Sequence, residues 1–435
     1  MFVIGLLIWP IMEKGVTRVN EIFRNRNFRK LFLSNLFSGF GQGMTMIGIS
    51  WYLVESTGSA SLLGSTMLLS SIMTLLIGPY FGTLIDRFSR KAILQLEQLG
   101  GFSVLTLVAA WGFWGTYQEW MMVLVFLASM FMFQVHEPTQ SAFIQETFEQ
   151  KHYNVINSTL EIQNQTALVL AGAFAGLLLG KYGLHIVLIL NTLTYLIAFL
   201  SLTGIDYVYT QEKQVEKYLR TSWVSQFQQS WVYIKEKRGF IVFGIAALIP
   251  FLAVMLTNLL NPIFVSQVLG EDVAIYSMGE VTYSIGAVLA GFLLTWFRGK
   301  IGAFPYMVGN FILMAIALVM TVVIPMGSVF VLLSAFMGWC NVSTRLIRQT
   351  IYMELLPNRF MGRVLSFFRS IGTCMRLLLL ALFTLMLDST GASVGYLVLA
   401  GLLVTATLGI VFSMRLLMQQ VDTPDVVADQ GTVKH

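Results

Sequence analysis

Long apolar stretches separated by short polar turns run through the chain from about residue 31 to residue 414. A helix that crosses a bilayer needs ~20 predominantly apolar residues. Twelve segments meet that length: 31–54, 61–85, 92–113, 120–143, 154–180, 185–204, 240–265, 274–297, 303–324, 327–347, 362–387 and 394–414. The pattern predicts an all-α membrane protein of twelve transmembrane helices. One connection is long, residues 205–239, and it follows the sixth segment. The domains then read as an N-terminal segment (1–30), a six-helix bundle (31–204), a linker (205–239), a second six-helix bundle (240–416) and a tail (417–435).

Composition agrees with this reading. Of the 435 residues 56% are hydrophobic and 11% charged, against ~25% charged in soluble domains. The formal charge of +5 does not indicate nucleic acid, because the basic residues lie between apolar runs rather than on one polar domain. They do set an orientation, since Lys and Arg concentrate in cytoplasmic loops. With the N-terminus in the cytosol, 24 of the 27 fall in cytosolic segments. Lys181 alone falls in an outer loop, and Arg369 and Arg376 lie within the eleventh segment. Both termini are therefore expected in the cytosol. Trp111, Trp114, Tyr117 and Trp120 bracket an outer turn, as an interfacial aromatic belt does. The two cysteines, Cys340 and Cys374, lie in apolar runs and offer neither a disulfide framework nor metal spacing. No metal or other cofactor is expected.

Within the linker, Leu219, Trp223, Phe227 and Trp231 recur every four residues among Lys213, Lys217, Arg220, Lys235 and Lys237. That pattern predicts a helix lying in the cytosolic interface. Residues Met1–Met12 are apolar, too short to span, and lack the features of a cleaved signal. Translation is expected to start at Met12.

The halves echo each other. Gly82, Leu84 and Lys91 are matched by Gly291, Leu293 and Lys300 at an offset of 209, and Glu146 by Glu354 at 208. Two parallel six-helix repeats with a site between them is a transporter plan. The strongest local signal is the run Gly82-Thr-Leu-Ile-Asp86-Arg87-Phe-Ser-Arg90-Lys91 at the turn between the second and third helices. Gly82 permits close helix packing, while Asp86 and Arg87 place opposite charges where a gate can latch. This run resembles the loop signature of the major facilitator superfamily. Trp51 through Ala60, Gly64 and Gly78-Pro79 resemble its drug-exporter branch, which contains macrolide efflux proteins and the enterobactin exporter. Phe133, Pro138, Asn157, Gln163, Gly172 and Gly176 match the same branch. The resemblance implies that Asp86 latches onto the start of helix eleven near Gly362 and Arg363. It also implies that Arg90 pairs with Glu146, holding the cytosolic gate shut. Thr295 stands where a second-half aspartate is matched, and the run Ala171–Gly176 has no proline; both depart from the pattern.

Polar groups at bilayer depth cost ~2.5–3.5 kcal/mol each when charged, and they mark pathways rather than lipid faces. Glu137 lies beside His136, Gln134, Gln140 and Ser141. Asn157, Glu161 and Gln165 recur on one helical face. Glu280 lies on the eighth helix; Ser366, Arg369, Thr373 and Arg376 share a face of the eleventh. Asn35 and Gln42 align on the first, and Asn258 and Asn261 precede Pro262, a predicted kink. Carboxyl groups held out of water take up protons more readily. Glu137 and Glu161 are the leading proton-coupling candidates, with Glu280 third. Asn35, Gln42, Gln165, Asn258, Asn261, Arg369 and Arg376 are candidates to line a substrate cavity, Arg376 serving either a carboxylate counter-ion or an anionic substrate group. His136 is read as a packed or hydrogen-bonded histidine. Structural hydrogen bonding between helices remains the competing reading for Glu137 and Glu161.

The chain has no Walker loop, no Gly-x-Ser-x-Gly, no His-Glu-x-x-His and no soluble catalytic domain. An enzyme is not expected, nor is ATP drive from this chain. The expectation is a monomeric multi-pass protein of the bacterial cytoplasmic membrane that exports a small amphipathic molecule against protons. Macrolide-like drugs and siderophores are the substrate classes that the resemblance implies. A lipid or lysophospholipid flippase and a non-transporting sensor are the alternatives.

Overall fold

The structure is a computed structural model, and it describes residues 20–207, 239–356 and 358–421. The linker helix expected over most of 205–239, the segment Met1–Met12 and the end of the tail lie outside the described residues.

Helix α1 spans Arg26–Thr57, α2 Ala60–Arg87, α3 Arg90–Trp111 and α4 Glu119–Thr147. Tyr153–Thr203 holds two helices, α5 and α6, parted at Gly183, whose φ of 74° suits a residue without a Cβ. The seventh span, α7, is Phe240–Leu269. Then come α8 (Val273–Ile301), α9 (Ala303–Val323) and α10 (Gly327–Leu355). Asn358–Val421 again holds two helices, α11 and α12, parted at Gly391 with φ 78°. Among the described residues nine helices are long and apolar enough to cross a bilayer. Two of these are the pairs parted by glycine, and the more polar α1 supplies the twelfth.

The helices begin where capping chemistry permits, not where hydropathy rises. Asn25 accepts from the Asn27 and Phe28 amides, so α1 starts at Arg26 rather than at the predicted 31. Ser59 and Ser89 cap α2 and α3 in the same way. Helix α10 runs to Leu355, past its predicted end at 347. The seventh span is less regular than predicted. It is interrupted at Ala247–Leu248, just before Pro250, and a π-helical turn over Phe264–Leu269 follows Pro262. A proline lacks the amide that would close the preceding turn, and the chain adjusts by widening the helix beyond it.

The repeat is written in the turns as well as in the motifs. Gly183 and Gly391 part equivalent helices in the two halves, and Gly58 and Gly270, with φ 62° and 64°, end α1 and α7.

Small residues let the helices approach closely. A Cβ on Gly41 would collide with Asn191 and Thr194 of α6, one on Gly101 with the Tyr195 ring, and one on Gly244 with Phe368. The tightest crossing joins α8 to α10. A Cβ on Gly286 would strike the Ala335 carbonyl, and one on Gly338 the Tyr283 carbonyl. Thr282 donates to the Val331 carbonyl at 2.6 Å beside the same crossing. Backbone is the obstacle, so no rotamer change relieves the clash. Gly338→Ala is expected to destabilise by about 1–3 kcal/mol, read as a lower melting midpoint in detergent. An unchanged midpoint would show that the helices separate freely.

The turns define two ends of the bundle. One carries α1–α2, α3–α4, α5–α6, α7–α8, α9–α10 and α11–α12 and is poor in Lys and Arg. The other carries the Arg87–Lys91, Lys151 and Arg298–Lys300 turns and is rich in them.

Candidate functional site

The halves meet through α1, α2 and α5 on one side and α7, α8 and α11 on the other, chiefly toward the basic-poor end. Gly172 and Gly176 of α5 seat against Val281, Ser277 and Ala274 of α8. Gly64 of α2 seats against Thr384 of α11. Trp51 of α1 stacks on Tyr276 of α8, with centroids 6.1 Å apart and planes at 19°, and Ser50 hydrogen-bonds the Tyr276 hydroxyl. Gln267 donates to the Gly58 carbonyl at 2.9 Å. At the rim, Asp388 of α11 reaches the start of α2. Its carboxylate accepts from the Ser59 hydroxyl at 2.9 and 3.0 Å and from the Ala60 amide at 2.8 Å. A helix N-terminus favours an anion there, so this carboxylate caps a helix of the other half. Toward the basic-rich end, Arg345 of α10 lies 3.9 Å from Glu161 of α5, both about half-exposed. This arrangement is closed at the basic-poor end.

Beside the seam lies a polar group of half-buried Asn261 and Glu280 with buried Tyr396. Asn261 of α7 hydrogen-bonds Glu280 of α8, and its Oδ1 accepts from the Tyr396 hydroxyl at 2.6 Å. Glu280 lies one turn along α8 from Tyr276, which α1 contacts. The tyrosines were not among the residues singled out from the sequence.

The other sequence candidates are spread more widely. Glu161 is exposed and accepts from Gln165 at 3.0 Å. Glu137 is exposed beside Pro138 on α4. Asn35 is buried and donates to Gln140 at 2.9 Å; Gln42 donates to the Ser129 carbonyl at 3.2 Å. Asn258 is half-buried and Arg369 exposed. Arg376 is half-buried, and its Nε finds no hydrogen-bond acceptor among the described residues. A shallow recess between α2 and α4 is lined by Ser70, Met73, Thr74, Leu127, Phe131 and Gln134.

At the basic-rich end, Arg90 lies 2.7 Å from Glu146, and Tyr207 donates to the same carboxylate. In the second half Arg298 lies 2.5 Å from Glu354. The offset is 208 for both residues, so the repeat preserves the ion pair although Thr295 replaces the aspartate. Lys91 donates to the Thr203 and Ile205 carbonyls at 3.1 and 2.7 Å, closing the end of α6. The side chains of Gly82, Asp86 and Arg363 lie outside the described residues, as does the latch expected between them; Arg87 is exposed. In the α4–α5 turn, a hydrogen bond from Lys151 at 2.8 Å holds the Glu149 carboxyl below its ordinary range. Both groups are exposed, and such pairs stabilise little.

Besides Tyr276 and Tyr396, two carboxylates escaped the sequence reading. Glu97 of α3 pairs with His136, within a polar run (Gln95, Glu97, Gln98) that interrupts an apolar helix. Asp388 lies one residue beyond the predicted end of its span. Arg348 has a structural partner, the Ala247 carbonyl at 2.9 Å, at the interruption of α7.

The sequence profile described as Major Facilitator Superfamily matches residues 31–279, more than half of the chain. The chain belongs to the Major Facilitator Superfamily. Within it, the chain is 22% identical over 371 residues to macrolide efflux protein A of Streptococcus pyogenes, covering 84% of this chain and 90% of that one. Solved structures that share the fold include two bacterial homologues of transporters. One is a bacterial homologue of the iron transporter ferroportin in an inward-facing state (TM-score 0.69, 14% identity, 89% of this chain and 98% of that one). The other is a bacterial homologue of the human lysosomal transporter Spinster (TM-score 0.67, 12% identity, 91% and 98%). Membership of the Major Facilitator Superfamily makes this a multi-span membrane protein and a secondary transporter.

Proposed function

We propose that the protein is a proton-coupled exporter of a small amphipathic molecule, within the drug-exporter branch of the superfamily. Its substrate class is macrolide-like. The likeness to macrolide efflux protein A, spread over most of both chains, supports that class. The observation that carries coupling is Glu280, a half-buried carboxyl group beside the seam that hydrogen-bonds Asn261, which the Tyr396 hydroxyl in turn holds. A group at that place changes charge where the halves must part. One charge crossing ~100 mV gains ~2.3 kcal/mol, enough to drive uphill export. The basic-rich end faces the cytosol, with both termini there, in a bacterial cytoplasmic membrane. The units are the six-helix bundles 31–204 and 240–416, acting in one monomer. Arg90–Glu146 and Arg298–Glu354 brace their cytosolic turns. Asp86 latches onto the Gly362–Arg363 region when that end closes.

Purified protein in proteoliposomes with an imposed pH gradient tests this reading. Erythromycin-like macrolides, cationic dyes, catecholate siderophores and lysophospholipids are presented in turn while internal pH is recorded. Proton movement triggered by a macrolide is expected. Movement with a siderophore alone would change the substrate class, and none with any compound would overturn proton-coupled export.

A further inference from the structure

We propose that Glu97 and His136 form a second proton-binding site, inside the first six helices, whose state is carried to α1 through Gln140 and Asn35. Both His136 ring nitrogens face acceptors. Nδ1 lies 3.0 Å from each Glu97 carboxylate oxygen, and Nε2 lies 2.7 Å from Gln140 Oε1. Gln140 Oε1 also accepts from Asn35 Nδ2 at 2.9 Å. A ring that donates from both nitrogens is an imidazolium. The side chains are enclosed: Glu97 is 8% exposed and His136 22%.

The same four residues also suit a neutral ring. Turning both carboxamides over places Gln140 Nε2 against His136 Nε2 and Asn35 Oδ1 against Gln140 Nε2. One Gln140 hydrogen then goes to the unprotonated ring nitrogen and the other to Asn35, while Nδ1–H still donates to Glu97. In the present arrangement Asn35 Oδ1 is buried without a partner among the described residues; the turned arrangement pairs it with Gln140 and puts Nδ2 in the place it leaves. The cluster therefore has two hydrogen-bond registers, one for each protonation state of His136, and neither leaves a ring nitrogen unpaired. Gaining or losing the proton reverses the donor–acceptor sense at Asn35, which is on a different helix.

Few other charges bear on the ring. Glu137 follows it on α4, and Glu97 comes from α3. Helix α6 brings Tyr195, whose ring lies against Gly101, one turn from Glu97; α1 brings the neutral Asn35. Helix α1 also carries Ser50 and Trp51, which contact Tyr276 one turn from Glu280. One helix thus bonds the Glu97–His136 cluster through Asn35 and contacts Tyr276, one turn from Glu280. The site rests on the proton-coupled reading for its use, but its occupancy is measurable without transport.

The test is nitrogen-15 NMR of the full chain in lipid nanodiscs, with histidine labelled, between pH 5 and 9. The chain has four histidines, so single replacement assigns His136. Its ring is expected to convert in one step from the doubly protonated form to the Nδ1–H tautomer. Glu97→Gln is expected to lower the imidazolium share at pH 6 at least threefold. Should that variant not fold, Asn35→Ala serves instead, and the register change predicts an altered Nε2 signal while Nδ1 stays bonded to Glu97. A ring in one protonation state throughout overturns the proposal, and so does a share unchanged in folded Glu97→Gln. A titrating His136 in a protein that shows no ligand-triggered proton flux upholds this site and overturns only the proposed export.

Discussion

Glu280→Gln is expected to reduce pH-driven export at least tenfold while leaving ligand exchange across the membrane within about threefold of the parent. Glutamine resembles the protonated carboxyl group in shape and retains a polar bond with Asn261, which the Tyr396 hydroxyl orients. What it removes is the change of charge. Without that change the proton gradient has no hold on the equilibrium, since a ligand or proton moves a two-state system only through differential affinity. Exchange needs the movement but not the charge, so it survives. Parallel measurements on Glu161→Gln and Glu137→Gln order the candidates. Both side chains are exposed, and Glu161 already has Gln165 and Arg345 beside it, so smaller losses are expected there. A tenfold loss of driven export in Glu161→Gln with none in Glu280→Gln would move coupling to α5.

Asp388→Ala is expected to open the basic-poor end. The carboxylate joins α11 to the first turn of α2 through the Ser59 hydroxyl and the Ala60 amide. Its removal leaves those donors to water and deletes the anion that the helix end favours. Because the site is exposed, about 1 kcal/mol is a reasonable loss, which is roughly a fivefold shift between closed and open forms. Thr384 reports it. One turn below, it is buried against Gly64, so a cysteine placed there in a background lacking Cys340 and Cys374 is shielded while that end is closed. Its maleimide labelling is expected to rise about fivefold in Asp388→Ala and less in Asp388→Asn, which keeps one acceptor oxygen. Equal rates in all three proteins would mean that the rim contact does not hold the halves together.

The spans were legible because twelve separate apolar runs demand lipid, and the inter-helix turns were marked by glycine and by Lys and Arg. Element ends were less so. Asn25 extends α1 through side-chain capping, and the Pro250 and Pro262 environments interrupt α7; hydropathy is blind to both. The repeat was visible in Glu146 and Glu354, and the resemblance implied the Arg90–Glu146 pair; the matching Arg298–Glu354 pair shows only in three dimensions. Glu280 and Asn261 were each visible as polar groups in apolar helices. Nothing in their separation of 19 positions announces that they touch, because α7 and α8 run in opposite directions around a turn. Glu97 and His136 lie on different helices, and the only local sign was the polar run around Glu97. Asp388 was hidden by a predicted boundary one residue short, where a carboxylate reads as ordinary loop polarity.

The most direct measurement is a pair of spin-label distances across the seam. Phe88 and Met353 are exposed near the basic-rich end, and Trp114 and Met326 near the basic-poor end. Each pair joins the first half to the second, and each is labelled through cysteines in the background lacking Cys340 and Cys374. Lowering the pH or adding a transported ligand is expected to shorten the 88–353 distance as the 114–326 distance lengthens. Both distances moving together, or neither moving with either stimulus, would contradict alternating access between the two six-helix halves.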